Sequence, residues 1–146
     1  MIRLANKEDF GEILRLSEEF WSHTQFDEPF EADHTLKMVK YSYDQEFLAV
    51  YEIDGQIIGF ASGIYNQLMG SSKVLCGTEV AWWISPGHRS AGNGVRLLKF
   101  MENRAKELGI KYWNMVAMQS SMPDQVKKMY EKMGYTLQES TYTKVL

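Results

Sequence analysis

The chain reads as a single α+β domain on a mixed, mostly antiparallel sheet of six or seven strands with about four helices. Three observations carry that reading. Apolar runs over residues 46–84 are broken by Asp54-Gly55, a two-residue pair that favours a tight hairpin between antiparallel strands. After residue 85 the pattern changes to apolar stripes at helical spacing alternating with short apolar runs, as in strand–helix crossovers. At 146 residues and 45% hydrophobic content, one core is attainable without disulfide support.

Each element has its own signal. Ile2 to Ala5 is a short apolar opening strand. Asn6 is placed to cap a helix over 7–21, with Glu8 and Asp9 at its positive end and Phe10, Ile13, Leu14, Phe20 and Trp21 on one face. A loop from His23 to Phe30 leads to a second helix over 31–43, whose apolar positions are Leu36, Val39 and Tyr43. Strands follow at 46–53, 56–65 and 73–84, the last entered through Gly70-Ser71-Ser72. Residues 85–93 form a glycine-containing loop, and a helix over 94–108 stops at Gly109. Ile110 to Met118 is a further strand. Ser121-Met122-Pro123-Asp124 has the form of a capping box opening a helix to Met133. Gly134 ends that helix, and 135–146 supplies one or two last strands. No internal repeat or linker divides the chain into more than one domain, 1–146.

Composition removes several classes of function. With 19 acids against 16 Lys and Arg, the net charge of −3 argues against a nucleic-acid binder. Cys76 is the one cysteine, so a cysteine-based metal site or an intrachain disulfide is excluded, and no metal is expected. No apolar run reaches the roughly 18 residues of a membrane span, and the first residues turn charged early. The expected protein is soluble and cytoplasmic.

The stretch from Glu79 through Trp82-Trp83-Ile84-Ser85-Pro86 to Arg89-Ser90-Ala91-Gly92-Asn93-Gly94 holds the chemistry. A strand, a glycine-containing loop and a helix start form an anion cradle, because the first N–H groups of a helix lack partners and face its positive end. Gly92 and Gly94 allow close backbone approach, and Arg89 adds a charge, which together suit a pyrophosphate. A Walker loop fails because Val95-Arg96 follows Gly94, and a dinucleotide fingerprint fails because Leu97 stands where its third glycine is required.

Arg89-Ser90-Ala91-Gly92-Asn93-Gly94 does match the Arg/Gln-x-x-Gly-x-Gly/Ala signature, and on it the chain resembles the GNAT N-acetyltransferases. The strand ending Trp83-Ile84-Ser85-Pro86, the helix ending Leu108-Gly109 and the closing stretch Lys128-Met129-Tyr130-Glu131-Lys132-Met133-Gly134-Tyr135 are similar to the same family. The order of elements fits the GNAT fold over essentially the whole chain.

The resemblance implies acetyl-CoA, or another acyl-CoA, as donor and an amine as acceptor, joined by direct attack in a ternary complex. It puts the donor's pyrophosphate on the backbone of Arg89, Ser90, Ala91, Gly92, Asn93 and Gly94, and its pantetheine arm beside Trp82, Trp83 and Ile84. Tyr130 matches the tyrosine that protonates the leaving thiolate, although it also lies on an apolar stripe with Val126, Met129 and Met133. Pro123 stands where related enzymes often carry a pantetheine-contacting asparagine, so Asn114 or Gln119 is the expected substitute. GNAT proteins are often dimers, which leaves a homodimer open. A GNAT fold holding CoA or a partner without turnover is the alternative.

Glu79 is the candidate base. An amine with a pKa near 10 has to lose a proton before attack, and Glu79 is one of few acids in this half of the chain. A solvent-facing strand carboxylate is its ordinary alternative. His23 and His34 are secondary candidates for the base, and Cys76 is expected to be buried and inert. Residues 1–46 hold eleven acids against five bases, net −6, whereas 47–146 hold eight acids against eleven bases, net +3. That asymmetry suggests a cationic acceptor drawn by the Asp27-to-Asp33 loop: a small polyamine-like or aminoglycoside-like amine, or a lysine or N-terminus on a basic protein.

Overall fold

The structure, a computed structural model, describes residues 1–89 and 92–146. It divides into two units, Met1–Val116 and Ala117–Leu146.

In the first unit, β1 (Ile2–Leu4), β2 (Leu48–Ile53), β3 (Gln56–Leu68), β4 (Ser71–Ile84) and β5 (Ile110–Asn114) form one sheet in sequence order. The first four strands are antiparallel and β5 runs parallel to β4, giving the mixed sheet that the change of pattern predicts. Asp54 and Gly55 both take positive φ, as a type I′ hairpin requires.

Helices cover both faces. α1 (Phe10–Trp21) and α2 (Ala32–Asp44) lie on one, where Ile13, Leu16 and Val39 pack with Val50, Phe60 and Trp83. α3 (Asn93–Glu107) lies on the other, where Leu97, Met101 and Ala105 pack with Phe47, Tyr51, Ile58 and Ile84. The first helix is preceded by a 3₁₀ turn, Lys7–Asp9, held by a full capping box. Asn6 Oδ1 accepts from Asp9 N–H at 3.2 Å, and Asp9 accepts from Asn6 N–H at 2.8 Å. Arg3 clamps the same aspartate at 2.6 Å, so the Asp9 carboxyl lies below its ordinary pKa mainly through that bond.

The second unit contains α4 (Pro123–Lys132). Two expectations are corrected there. Ser121 does not cap α4. Pro123 takes the first helical position, so the residue before it, Met122, becomes the cap, at φ 45°, without a side-chain cap bond. Residues 135–146 form no strand, and the described sheet has five strands rather than six or seven. That segment has only a short apolar alternation at Tyr135 and Leu137 and no glycine turn to fold it into a hairpin of its own. Leu137, Tyr142 and Val145 are exposed.

Candidate active site

The site begins where β4 loses one of its neighbours. β4 pairs with β5 only over Leu75–Thr78, ending at Thr78 opposite Asn114. From Glu79 to Ile84 it pairs with β3 on one edge, and its other edge carries no strand among the described residues. A bulge marks the same place: Ser62 faces Ala81 and Gly63 faces Glu79, so Val80 is the extra residue. Strict alternation therefore breaks between Glu79 and the two tryptophans. Gly63 is obligatory opposite Glu79, because a Cβ there would stand 2.8 Å from the Trp113 ring and 2.9 Å from Phe47.

Glu79 is 8% exposed. Its Oε2 accepts from Val116 N–H at 3.1 Å, just past the end of β5, so the carboxylate lies at the parting of the two strands. Burial pushes its pKa up to about 7 from 4.5, and the Val116 bond pulls it partly back. A carboxylate poised there takes up a proton at neutral pH more readily than a solvated one.

The start of α3 follows. Gly92 caps α3 at φ +77°, a conformation that side chains rarely adopt. The first helical bond runs from Arg96 N–H to Gly92 C=O at 3.0 Å, leaving Asn93, Gly94 and Val95 N–H without helical acceptors. Trp82 packs beside Gly94, where an added Cβ would lie 3.4 Å from its ring. The Asn93 side chain turns inward. Its Oδ1 accepts from Tyr51 Oη at 3.0 Å and from Arg96 at 3.1 Å, and its Nδ2 donates to the His88 carbonyl at 2.9 Å. Ser90 and Ala91 lie outside the described residues.

Arg89 folds back on the strand. Its Nε donates to Ile84 C=O at 2.8 Å, and its guanidinium lies 4.0 Å above the Trp83 ring. Burial lowers its pKa, opposed by the charge of Glu19. Trp82 and Trp83 take opposite faces, as alternation predicts: Trp82 joins the α3 side and Trp83 the α1–α2 side. Trp83 is 4% exposed and touches Phe20 and His23 as well as Arg89. Glu19 accepts from Ser85 Oγ at 3.0 Å, tying α1 to the end of β4.

The remaining predicted residues are dispersed. Asn114 turns to Cys76 and Thr78, each at 3.4 Å, and Cys76 is half-buried rather than buried. His34 is exposed on α2. Asp27, Glu28 and Glu31 are exposed in or beside the loop after α1, which Trp21 anchors by donating to Glu28 C=O at 2.7 Å and stacking on Phe26. In the second unit Tyr130 is buried on α4, with its ring 5.5 Å from that of Tyr135. Two residues that look ordinary in the sequence join the start of α3: Tyr51, by its pattern a strand core residue, and Arg96, by its pattern a solvated helix cation. The available signal was a basic residue in the first turn of a helix.

The first unit thus carries a strand that runs on past the end of its parallel neighbour, a glycine-capped helix start and a buried carboxylate at the strand parting. A family model described as the acetyltransferase (GNAT) family matches residues 8–135, and the chain belongs to that family. It is thus an acetyltransferase of the GNAT type. An acetyltransferase of Yersinia pestis is 27% identical over 139 residues, 95% of this chain and 89% of its own length. The crystal structure of a predicted acetyltransferase with acetyl-CoA from Clostridium acetobutylicum matches with TM-score 0.78 at 18% identity, over 99% of this chain and 95% of that one. A ribosomal-protein-alanine N-acetyltransferase from Brucella melitensis matches with TM-score 0.75 at 17% identity, over 100% and 99%. At these identities the two structures establish the fold.

Proposed function

We propose that the chain transfers an acetyl group from acetyl-CoA to a primary amine by direct attack in a ternary complex, with Glu79 as the base. The observation that carries this is the buried Glu79 carboxylate at the end of the β4–β5 ladder, its pKa raised to about 7 by burial. The residues present suit the donor. N–H groups of Asn93, Gly94 and Val95 at the positive end of α3 fit a pyrophosphate, and the part of β4 that runs on past the end of the β5 ladder at Thr78 fits an amide-bearing arm laid alongside it. Gln119 and Asn114 remain the candidates for the contact that Pro123 cannot make.

In this reaction the amine nitrogen forms a bond to the thioester carbonyl carbon and the carbon–sulfur bond breaks. The amine proton passes to Glu79, directly or through water, and Tyr130 supplies a proton to the departing thiolate, a role it takes from its place in the family motif. Orientation of the amine against an already activated thioester is the protein's main contribution. The acceptor is cationic in this reading, supported by the exposed acids of the loop after α1 and the net −6 of residues 1–46. A lysine or N-terminus on a basic protein fits as well as a small polyamine, and the Brucella neighbour is a ribosomal-protein-alanine N-acetyltransferase.

Calorimetry with acetyl-CoA tests the donor. Micromolar binding that Gly92→Glu with Gly94→Glu abolishes is expected, followed by free-thiol release when amines are added. A folded protein that binds no acetyl-CoA overturns the proposal in favour of a scaffold kept for partner recognition.

A further inference from the structure

Glu79 is buried at a place where the backbone alone would leave it wet. The β4–β5 ladder ends at Thr78, one residue before it, yet the residue is only 8% exposed. Side chains therefore supply the cover, and two glycines mark where one of them sits. Gly63 stands opposite Glu79 in the β3–β4 pairing, and Gly77 precedes it by two residues in regular register, so all three positions share the α3 face of the sheet. One ring presses on both glycines. A Cβ on Gly63 would lie 2.8 Å from Trp113 Cη2, and a Cβ on Gly77 would lie 3.0 Å from Trp113 Cε3. The six-membered edge of the indole thus rests on the sheet beside the position from which Glu79 rises.

Phe47 extends this wall. Its ring comes within 2.9 Å of the Gly63 Cβ position and lies 4.8 Å, centroid to centroid, from Trp113. Trp113 Nε1 belongs to the edge of the indole away from the glycines, and it is buried without a hydrogen-bond partner among the described residues. An unbonded buried N–H is a cost, so packing rather than hydrogen bonding holds the ring there. An apolar ring beside a carboxylate displaces water without replacing its hydrogen bonds, and burial is the main cause of the raised Glu79 pKa. The ionisable groups around the wall are Tyr65 of β3, whose ring packs on that of Phe47, Arg104 of α3, held by Glu46 and Glu107, and Lys111 of β5, whose ammonium lies over the Tyr112 ring. On β4 itself, Cys76 takes the opposite face by alternation. A substitution at Trp113 alters none of these groups.

We propose that Trp113 is a positioning residue for the reaction: seated on Gly63 and Gly77, it keeps water off Glu79 and so sets the pH range in which that carboxylate accepts the amine proton. The proposal rests on Glu79 as the base. The test compares wild type, Trp113→Val, which uncovers the carboxylate, and Trp113→Phe, which keeps an apolar ring on the glycines. Two quantities are read: the titration midpoint of the Glu79 carboxyl by carbon-13 NMR, and the pH profile of kcat/KM with spermidine or polylysine as acceptor. In Trp113→Val the midpoint is expected to fall by about one pH unit or more, toward that of a solvated carboxyl. The rise of kcat/KM should move down with it, to a plateau severalfold lower because the base is weaker. Trp113→Phe should keep both within about half a unit of wild type. A merely structural tryptophan would change the melting temperature and leave the midpoint of the folded protein in place. Equal midpoints in wild type and Trp113→Val overturn the proposal while the base reading stands. An equal fall in Trp113→Phe makes the effect a general loosening and also overturns it. A midpoint that falls while the pH profile stays fixed overturns the base reading, and with it the part of Trp113 in the reaction. Where neither acceptor turns over, the acceptor reading falls and the titration still decides what Trp113 does to Glu79. If Trp113→Val does not fold, Phe47→Leu thins the same wall from its other side and is read in the same way.

Discussion

Replacing Glu79 with glutamine removes a charge while keeping shape, and the side-chain oxygen still accepts from Val116 N–H. In the folded chain burial raises this carboxyl to about 7 from 4.5. Between those values the folded protein holds a proton that the unfolded chain has released. Stability contributed by this group is therefore full below about pH 4.5, falls as pH rises, and levels off above about pH 7. The gap between the two values corresponds to about 3 kcal/mol, a ceiling that relaxation or water entry reduces. Urea unfolding of both proteins from about pH 4 to about pH 8.5 reads this directly, because contributions of other groups cancel in the difference. The two proteins should be about equally stable at the acid end, and Glu79→Gln more stable by up to about 3 kcal/mol at the alkaline end. In steady-state assays the same variant should lose about 10²- to 10⁴-fold in kcat, together with the rise of kcat/KM through neutral pH assigned to Glu79. A stability difference that stays constant with pH refutes the buried, proton-binding carboxyl. A variant with full activity refutes the base.

Three further outcomes follow from named contacts. Gly59→Ala would drive a Cβ against Ile84 Cδ1 and to 2.7 Å from the Trp83 carbonyl oxygen, so β4 has to shift. A loss of about 1–3 kcal/mol in thermal or urea unfolding is expected, and a neutral result would show that the β3–β4 contact is loose. Neutral amides at Asp27, Glu28 and Glu31 should raise KM severalfold for a cationic amine at low salt with kcat unchanged, and an unchanged KM removes the electrostatic reading of the acceptor loop. Tyr130→Phe should lower kcat at least about tenfold while acetyl-CoA affinity, read by calorimetry, stays at the wild-type value. Undiminished turnover would return Tyr130 to the apolar stripe of α4.

Local chemistry made much of this protein legible from its residues alone. Asp54-Gly55 specifies a hairpin because both positions tolerate positive φ, and the structure gives them that conformation. Asn6 caps the 3₁₀ turn that leads into α1, because its side chain reaches the Asp9 N–H three residues on. The family and the acetyltransferase class were legible in the Arg89-to-Gly94 signature, the closing stretch before Gly134 and the order of elements taken together, and Gly92 takes the positive φ at the helix start that its residue type allows. Side-chain direction was beyond local chemistry. One extra residue, Val80, breaks the alternation of β4, and the end of the β5 ladder sets where Glu79 is buried. The inward turn of Asn93 depends on Tyr51, and Arg89, folded back onto Trp83, lies within the field of Glu19; both partners are distant in sequence. Residues 135–146 show the same limit: alternation is necessary for a strand, but a strand also needs a paired neighbour to satisfy its backbone. Sequence periodicity fixes which groups a segment offers, and only the packed chain decides which of them are used up by neighbours and which are left for a ligand.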